Sequence, residues 1–230
     1  MRDWIAFWDS NHSIYVNARH FDVHYRTIAD FIAGHVPSPS ATVLDYGCGE
    51  ALHADRVAAA AGRLILGEAA AKVRAALTAR FKDNAKIEVR SPEEIAGRPA
   101  GSVDLAVMIS VVQYLDAQEF DAVLALFRRL LKPDGLLIIG DVVPPAVSPM
   151  GDTVALLRYG AANGFLGAAL WGLVRTIFSP YSRLRSKLGL SLYSEAQMLQ
   201  QLAAAGFAAA RARANVGPNP ARMTFLARRA

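Results

Sequence analysis

The sequence predicts an α/β fold: a doubly wound, mostly parallel seven-stranded sheet with an antiparallel C-terminal strand, plus a helical insertion. Three observations carry this. Short apolar runs alternate with stretches of helical periodicity between residues 42 and 139. Strands that alternate with helices imply a parallel sheet covered on both faces, with right-handed crossovers. Two further apolar runs near the end are joined by a turn-forming Gly217-Pro218-Asn219-Pro220, so they are expected to pair antiparallel.

Thr42-Val43-Leu44-Asp45 reads as the first strand, and Gly47-Cys48-Gly49 turns it into a helix over about 50–61. Leu64-Ile65-Leu66 is the second strand, followed by an Ala/Leu-rich helix over about 69–82. Ile87-Glu88-Val89 is the third strand and Val103 to Ile109 the fourth. Asp116 and Glu119 form a capping-box pattern, and Val123, Leu124, Phe127, Leu130 and Leu131 give the stripe of the next helix. Pro133-Asp134-Gly135 is expected to end it before the fifth strand, Leu136 to Ile139. Ser194 and Gln197 cap a helix that stops at Gly206, and residues 207–216 and 222–228 are the last two strands. Outside this core lie residues 1–36, read as an N-terminal helical cap, and residues 142–193, read as a helical lid or insertion.

Length fits one domain: 230 residues, 53% hydrophobic and 20% charged, allow a large core and exclude a disordered chain. The one cysteine, Cys48, excludes an intramolecular disulfide and an all-cysteine zinc site, and it fits a reducing, cytoplasmic setting. Asp3, Asp9, Arg19, Asp22 and Arg26 leave no visible signal peptide. The net charge of +5 is compatible with anionic partners, but the charges are scattered and no RNA-binding aromatic motif is present, so nucleic acid is not an expected partner. No metal is expected either: His20 and His24 have i,i+4 spacing but lack the Glu of a zinc-protease motif, and His12 is remote.

The chemistry concentrates in Val43-Leu44-Asp45-Tyr46-Gly47-Cys48-Gly49. Two glycines at the end of a first parallel strand let a ligand approach the backbone, and the next helix offers its amides. Glu68, nineteen residues after Gly49, ends the second strand, where a carboxylate can accept both hydroxyls of an adenosine ribose. A dinucleotide fingerprint needs a third glycine where Leu52 stands, so the pattern points to an adenosine ligand without a pyrophosphate.

These motifs resemble the class I S-adenosylmethionine-dependent methyltransferases. Residues 43–49 look like that family's glycine-rich first motif. Val103 to Val107 with Ser110-Val111-Val112-Gln113-Tyr114-Leu115 resembles its fourth-strand motif, and Leu130 to Leu137 the segment before its fifth strand. The resemblance implies S-adenosylmethionine as cofactor. It implies Gly47, Cys48 and Gly49 around the methionine and ribose, Asp45 beneath them, Glu68 on the ribose and Ala69 at the adenine. Ser110 and Val111 would face the methionine and the reacting methyl group. The family often has an adenine-binding acid where this chain has Ser91. Ser91-Pro92-Glu93-Glu94 also reads as a helix cap, so Ser91 carries both readings.

The sulfonium already activates the methyl group, so a base is needed only if the acceptor must lose a proton. Segments before the first strand often fold over the cofactor in this family. Tyr15, His20, His24 and Tyr25 are therefore candidates for the mouth of the site, with one histidine as base, against a plain amphipathic helix. Asn17 would share the histidine face. Tyr114, Gln113 and Asp141 sit after the fourth and fifth strands and are candidate acceptor contacts; His53 reads as a surface residue. Residues 159–174 carry no charge and fall short of the ~20 residues that span a bilayer. Leu166, Leu170, Leu173 and Ile177 form a stripe, with Trp171, Val174 and Phe178 beside it and Arg175, Arg183, Arg185 and Lys187 after it. The segment 159–187 thus reads as a lid over an apolar acceptor, a peripheral membrane contact, or an insertion at a homodimer contact. The expected activity is methyl transfer to a small, apolar or lipid-like molecule by in-line displacement. The alternative is a non-catalytic binding or scaffold module.

Overall fold

A computed structural model describes residues 2–10, 15–176 and 189–230. Seven strands form one sheet in the order β3-β2-β1-β4-β5-β7-β6. They are β1 (Thr42–Tyr46), β2 (Arg63–Gly67), β3 (Ile87–Arg90), β4 (Val103–Ile109), β5 (Leu131–Val142), β6 (Phe207–Arg211) and β7 (Met223–Arg229). The first five pair in parallel, and β7 runs antiparallel to both β5 and β6. The expected sheet is the one observed.

The helices are α1 (Arg2–Trp8), α2 (Ala18–Ala33), α3 (Ala54–Ala60), α4 (Ala71–Phe81), α5 (Pro92–Ala96), α6 (Ala117–Leu130), α7 (Pro149–Asn163), α8 (Leu166–Thr176) and α9 (Glu195–Ala204). Successive side chains of β1 go to opposite faces, Val43 to one core and Leu44 to the other. One core joins the sheet to α6 and α9 through Phe120, Phe127, Met198 and Phe225. The other joins it to α2, α3 and α4 through Ile32, Val57 and Leu77. The capping boxes read at Ser91/Glu94, Asp116/Glu119 and Ser194/Gln197 are all formed.

Several expectations need correction. The helix after the glycine turn begins at Ala54 rather than at residue 50, because Ala51 sits at φ +40 and breaks the helical path. Pro133-Asp134-Gly135 does not end α6; the helix stops at Leu130, and these residues lie within β5. The run 207–216 ends as a strand at Arg211. Beyond it, Asn215 and Val216 turn to bond the Thr224 hydroxyl, so the connection is longer than the four-residue turn. Asn17 is the N-cap of α2 and accepts from His20 N at 2.8 Å, so it does not share a helical face with the histidines. At α8, Phe165 just before the helix and Ala169 are buried, while Leu166 and Leu170 of the stripe are exposed. The close approach comes from glycines, since a Cβ on Gly160 would stand 3.2 Å from Ala169 and one on Gly172 would run into Val16. Ile177, Phe178, Arg183, Arg185, Lys187 and His12 lie outside the described residues.

Candidate active site

The site forms where β1, β2, β4 and β5 end. Gly47 and Gly49 take φ +77 and +57, a region open to glycine at little cost. The turn is tied back to β2: Gly47 N and Cys48 N both donate to the Gly67 carbonyl, at 2.8 and 3.1 Å. Glu68 then joins two backbone segments. One carboxylate oxygen accepts from Gly49 N at 2.9 Å and the other from Ala70 N at 2.8 Å. Burial raises its pKa, and these amides oppose that rise. Arg74 holds the carbonyls of Glu68 and Ala69. Ser91 caps α5 and donates to Glu93 at 2.7 Å, so its hydroxyl is committed to the helix start.

Asp45 is the unusual group. It is buried, no hydrogen-bond partner for its carboxylate is found among the described residues, and its pKa is raised to about 7 by burial and by the nearby Glu68. Both carboxylates also push the buried Cys48 thiol upward, after burial itself.

α2 covers this turn. Tyr25 Oη accepts from Glu50 N at 3.0 Å and lies 2.6 Å from where a Cβ on Gly49 would stand. Val111 covers Gly47 in the same way, 2.5 Å from its notional Cβ. Tyr15 hydrogen-bonds Tyr25, and its ring lies 5.3 Å from both histidine rings. His20 stacks on Phe165 of the insertion at 4.9 Å, and His24 sits edge-on to Tyr25. Burial lowers both histidine pKa values to about 4; the neighbouring His24 adds to the effect at His20, while Asp141 opposes it at His24. Both rings are therefore neutral at pH 7. Thr27 and Tyr159 meet at 3.1 Å, and Arg19 donates to the Asn163 carbonyl at 3.0 Å, so α7 rests on α2.

Ser110 and Asp141 end β4 and β5, both in the left-handed region at φ +59 and +60. The Ser110 hydroxyl donates to Asp141 at 2.9 Å. Arg222 donates to Asp141 at 2.7 Å and to Asp152 of α7 at 3.0 Å, and Asn215 donates to Asp141 at 2.8 Å. Asp141 is thus buried in an ion pair rather than open to a ligand. Gln113 donates to the Ser110 carbonyl at 3.2 Å, while its buried Oε1 has no partner. Tyr114 packs on Trp4 and Trp8 of α1, with ring centroids 4.5 and 5.8 Å apart.

The fold thus gathers Asp45, Gly47, Cys48, Gly49, Glu68, Val111, Tyr15 and Tyr25 around one turn, with His20 and His24 beside them. It turns Ser110 and Asp141 toward each other, and it sets Ser91 at a helix cap. Sequence reasoning missed Arg222, Asn215, Phe165 and the tryptophans of α1. The Trp-rich run Trp4 to Trp8 was a usable signal; nothing local marks Arg222.

The sequence profile of a methyltransferase domain matches residues 43–135. That segment, which runs from β1 into β5, is similar to a methyltransferase domain. Several solved structures similar in fold hold S-adenosylmethionine or S-adenosylhomocysteine. Solved structures share the chain's fold at low sequence identity. Magnesium protoporphyrin IX methyltransferase from Synechocystis PCC 6803 with bound SAH is 18% identical, with a TM-score of 0.60 over 100% of this chain and 94% of that one. Human N-acetylserotonin methyltransferase in complex with SAM is 13% identical, with a TM-score of 0.58 over 90% of this chain and 52% of that one. The [4+2]-cyclase SpnF is 17% identical, with a TM-score of 0.58 over 89% and 80%. A comparison with curated proteins finds no sequence match.

Proposed function

We propose that the protein transfers a methyl group from S-adenosylmethionine to a small, apolar acceptor. The observation that carries this reading is the pair of buried carboxylates, Asp45 and Glu68, set around the two-glycine turn of the segment similar to a methyltransferase domain. Asp45, buried with no hydrogen-bond partner among the described residues, suits a cationic ligand, and the residues present fit the cofactor in that respect. Glu68 would hold the ribose hydroxyls, giving up its bonds to Gly49 N and Ala70 N or sharing them. Ala69 would lie against the adenine, and Gly47, Cys48, Gly49, Ser110 and Val111 would line the methionine. When bound, S-adenosylmethionine would supply an electrophilic methyl group to the acceptor's lone pair, the S–CH3 bond breaking with its electron pair left on sulfur as S-adenosylhomocysteine.

The chain's own work is then orientation and exclusion of water. Tyr15, Tyr25 and Tyr114 would form the wall against the acceptor. Neutral His20 or His24 would accept a hydrogen bond from it; at a pKa of about 4 either is a weak base, which favours an acceptor that is already nucleophilic. Asp141 acts on the site through Ser110 rather than by touching the acceptor. The same weak bases support a second reading, a module that binds the cofactor without turnover.

Thermal melting with S-adenosylmethionine and S-adenosylhomocysteine tests the proposal. A ligand at one hundred times its Kd adds about 2.7 kcal/mol, or roughly 5 °C for a chain of this size. That shift is expected in the natural protein and lost in Glu68→Ala. No shift at saturation removes the methyl-transfer reading; binding without transfer to any acceptor offered selects the second.

A further inference from the structure

The insertion carries large apolar side chains that are exposed among the described residues. All six exposed large hydrophobic residues found among the described residues fall in it: Met150, Val154, Leu166, Leu170, Trp171 and Leu192. Met150 is 77% exposed, Trp171 67% and Leu170 52%. Single exposed apolar residues need no explanation, but their confinement to one insertion does. This face is not the one that packs on the site. Phe165 and Ala169 are the buried side of α8, with Phe165 on His20. Leu166, Leu170 and Trp171 project from the opposite side. On α7, Met150, Val154 and Arg158 follow at i,i+4 along an exposed stripe.

Charge says what covers it. No acidic residue occurs between Asp152 and Glu195, while Arg158, Arg175, Arg183, Arg185 and Lys187 do. These five cations account for the whole net charge of +5, because the other twenty lysines and arginines balance the twenty acids. Among the described residues the insertion adds exposed Arg158, beside Pro218 and Pro220, and exposed Arg19 is bonded to the end of α7. An apolar face in a segment without acids suits an anionic lipid surface, where an exposed Trp sits at the headgroup level. The eleven residues of α8 reach about 16 Å, half the hydrocarbon thickness, so the helix would lie along the surface rather than cross it.

We infer that the outer face of α7 and α8, centred on Leu170 and Trp171, docks the protein on an anionic membrane. The inference does not depend on methyl transfer, and its test uses no cofactor. The full chain is sedimented with phosphatidylcholine vesicles and with vesicles containing about one third phosphatidylglycerol, at low and high salt. The expected result is binding to the anionic vesicles that weakens at high salt. Tryptophan emission should shift to the blue on binding, and Trp171→Phe should remove the shift although Trp4 and Trp8 remain. Leu170→Ser with Trp171→Ser should cost roughly tenfold in partitioning. The substituted side chains are exposed, so an unchanged melting temperature verifies that this variant folds.

Three results overturn the inference: no binding to anionic vesicles at low salt, equal binding to both vesicle types, or binding that the double substitution leaves intact. A dimer in solution that the double substitution dissociates, with no vesicle binding, overturns it in favour of a second copy.

Discussion

A buried carboxylate with a pKa near 7 makes ligand binding depend on pH in a direction that can be fixed in advance. Asp45 is half protonated near pH 7 in the free protein. A cationic ligand favours its ionised form, so affinity for S-adenosylhomocysteine, whose amino group is cationic, should rise with pH through about 7. Titration calorimetry on the natural protein and on Asp45→Asn checks this; the variant should bind more weakly and lose the slope. Gly49 offers a second test. A methyl group there meets Tyr25 Oη at 2.6 Å and must adopt φ +57. Gly49→Ala should lower the unfolding free energy by about 1–3 kcal/mol and displace Tyr25 from Glu50 N. Pairing it with Tyr25→Phe should recover part of the loss if the hydroxyl is the obstacle. At this scale the spacing of the glycines and the place of Glu68 at the end of β2 were legible. The absence of a partner for Asp45 depends on what the other strands fail to offer, and a linear sequence does not carry that.

At the scale of elements, the boundaries set by local chemistry were readable and those set by distant contacts were not. Ser91, Asp116 and Ser194 announced their helices because a cap needs only residues three positions apart. Ser91→Ala should cost about 1 kcal/mol in stability and leave cofactor affinity within a factor of about two. A larger loss of affinity would assign Ser91 to the adenine instead. By contrast, the end of β6 and the inward turn of Asp141 are decided by Thr224 and Arg222, many residues away. Which side of α8 packs inward was not readable for a similar reason: Gly160 and Gly172 let it sit close on the side carrying Phe165 and Ala169. Arg222 gives this scale its own test. Removing it leaves Asp141 buried and unpaired, so Arg222→Met should cost about 3–5 kcal/mol, more than Asp152→Asn, which leaves the Asp141 pair in place. Chemical denaturation of both variants makes the comparison.

For the whole molecule, two buried titrations act in opposite directions. His20 and His24 have folded pKa values lowered to about 4 from 6.5, so the unfolded chain binds more protons between those values. Their contribution is complete above about 6.5 and is lost as pH falls toward 4. Asp45 runs the other way: its pKa is raised, so its contribution is present at acid pH and fades as pH rises from 3.8 to about 7. Each group adds or removes up to about 1.4 kcal/mol per pH unit within its window. Denaturant unfolding across pH 4–7 should therefore give a shallow profile in the natural protein. It should steepen toward acid lability in Asp45→Asn and flatten or invert in His20→Phe with His24→Phe. The mostly parallel sheet with its antiparallel last strand was readable because alternation and crossover handedness leave few arrangements, but the strand order was not read from the sequence.

That sheet order also has a consequence in time. β7 lies between β5 and β6, although it is the last of the three to be synthesised. Until Met223–Arg229 leaves the ribosome, β5 presents a bare edge and β6 has no neighbour. Phe225, which is fully buried in the finished core, is also still missing. The nascent chain therefore holds most of its hydrophobic mass around an open slot, a condition that favours contact with chaperones or with other nascent chains. A ribosome stalled before residue 223 should hold a protease-sensitive intermediate, and one stalled well beyond residue 229 a resistant one.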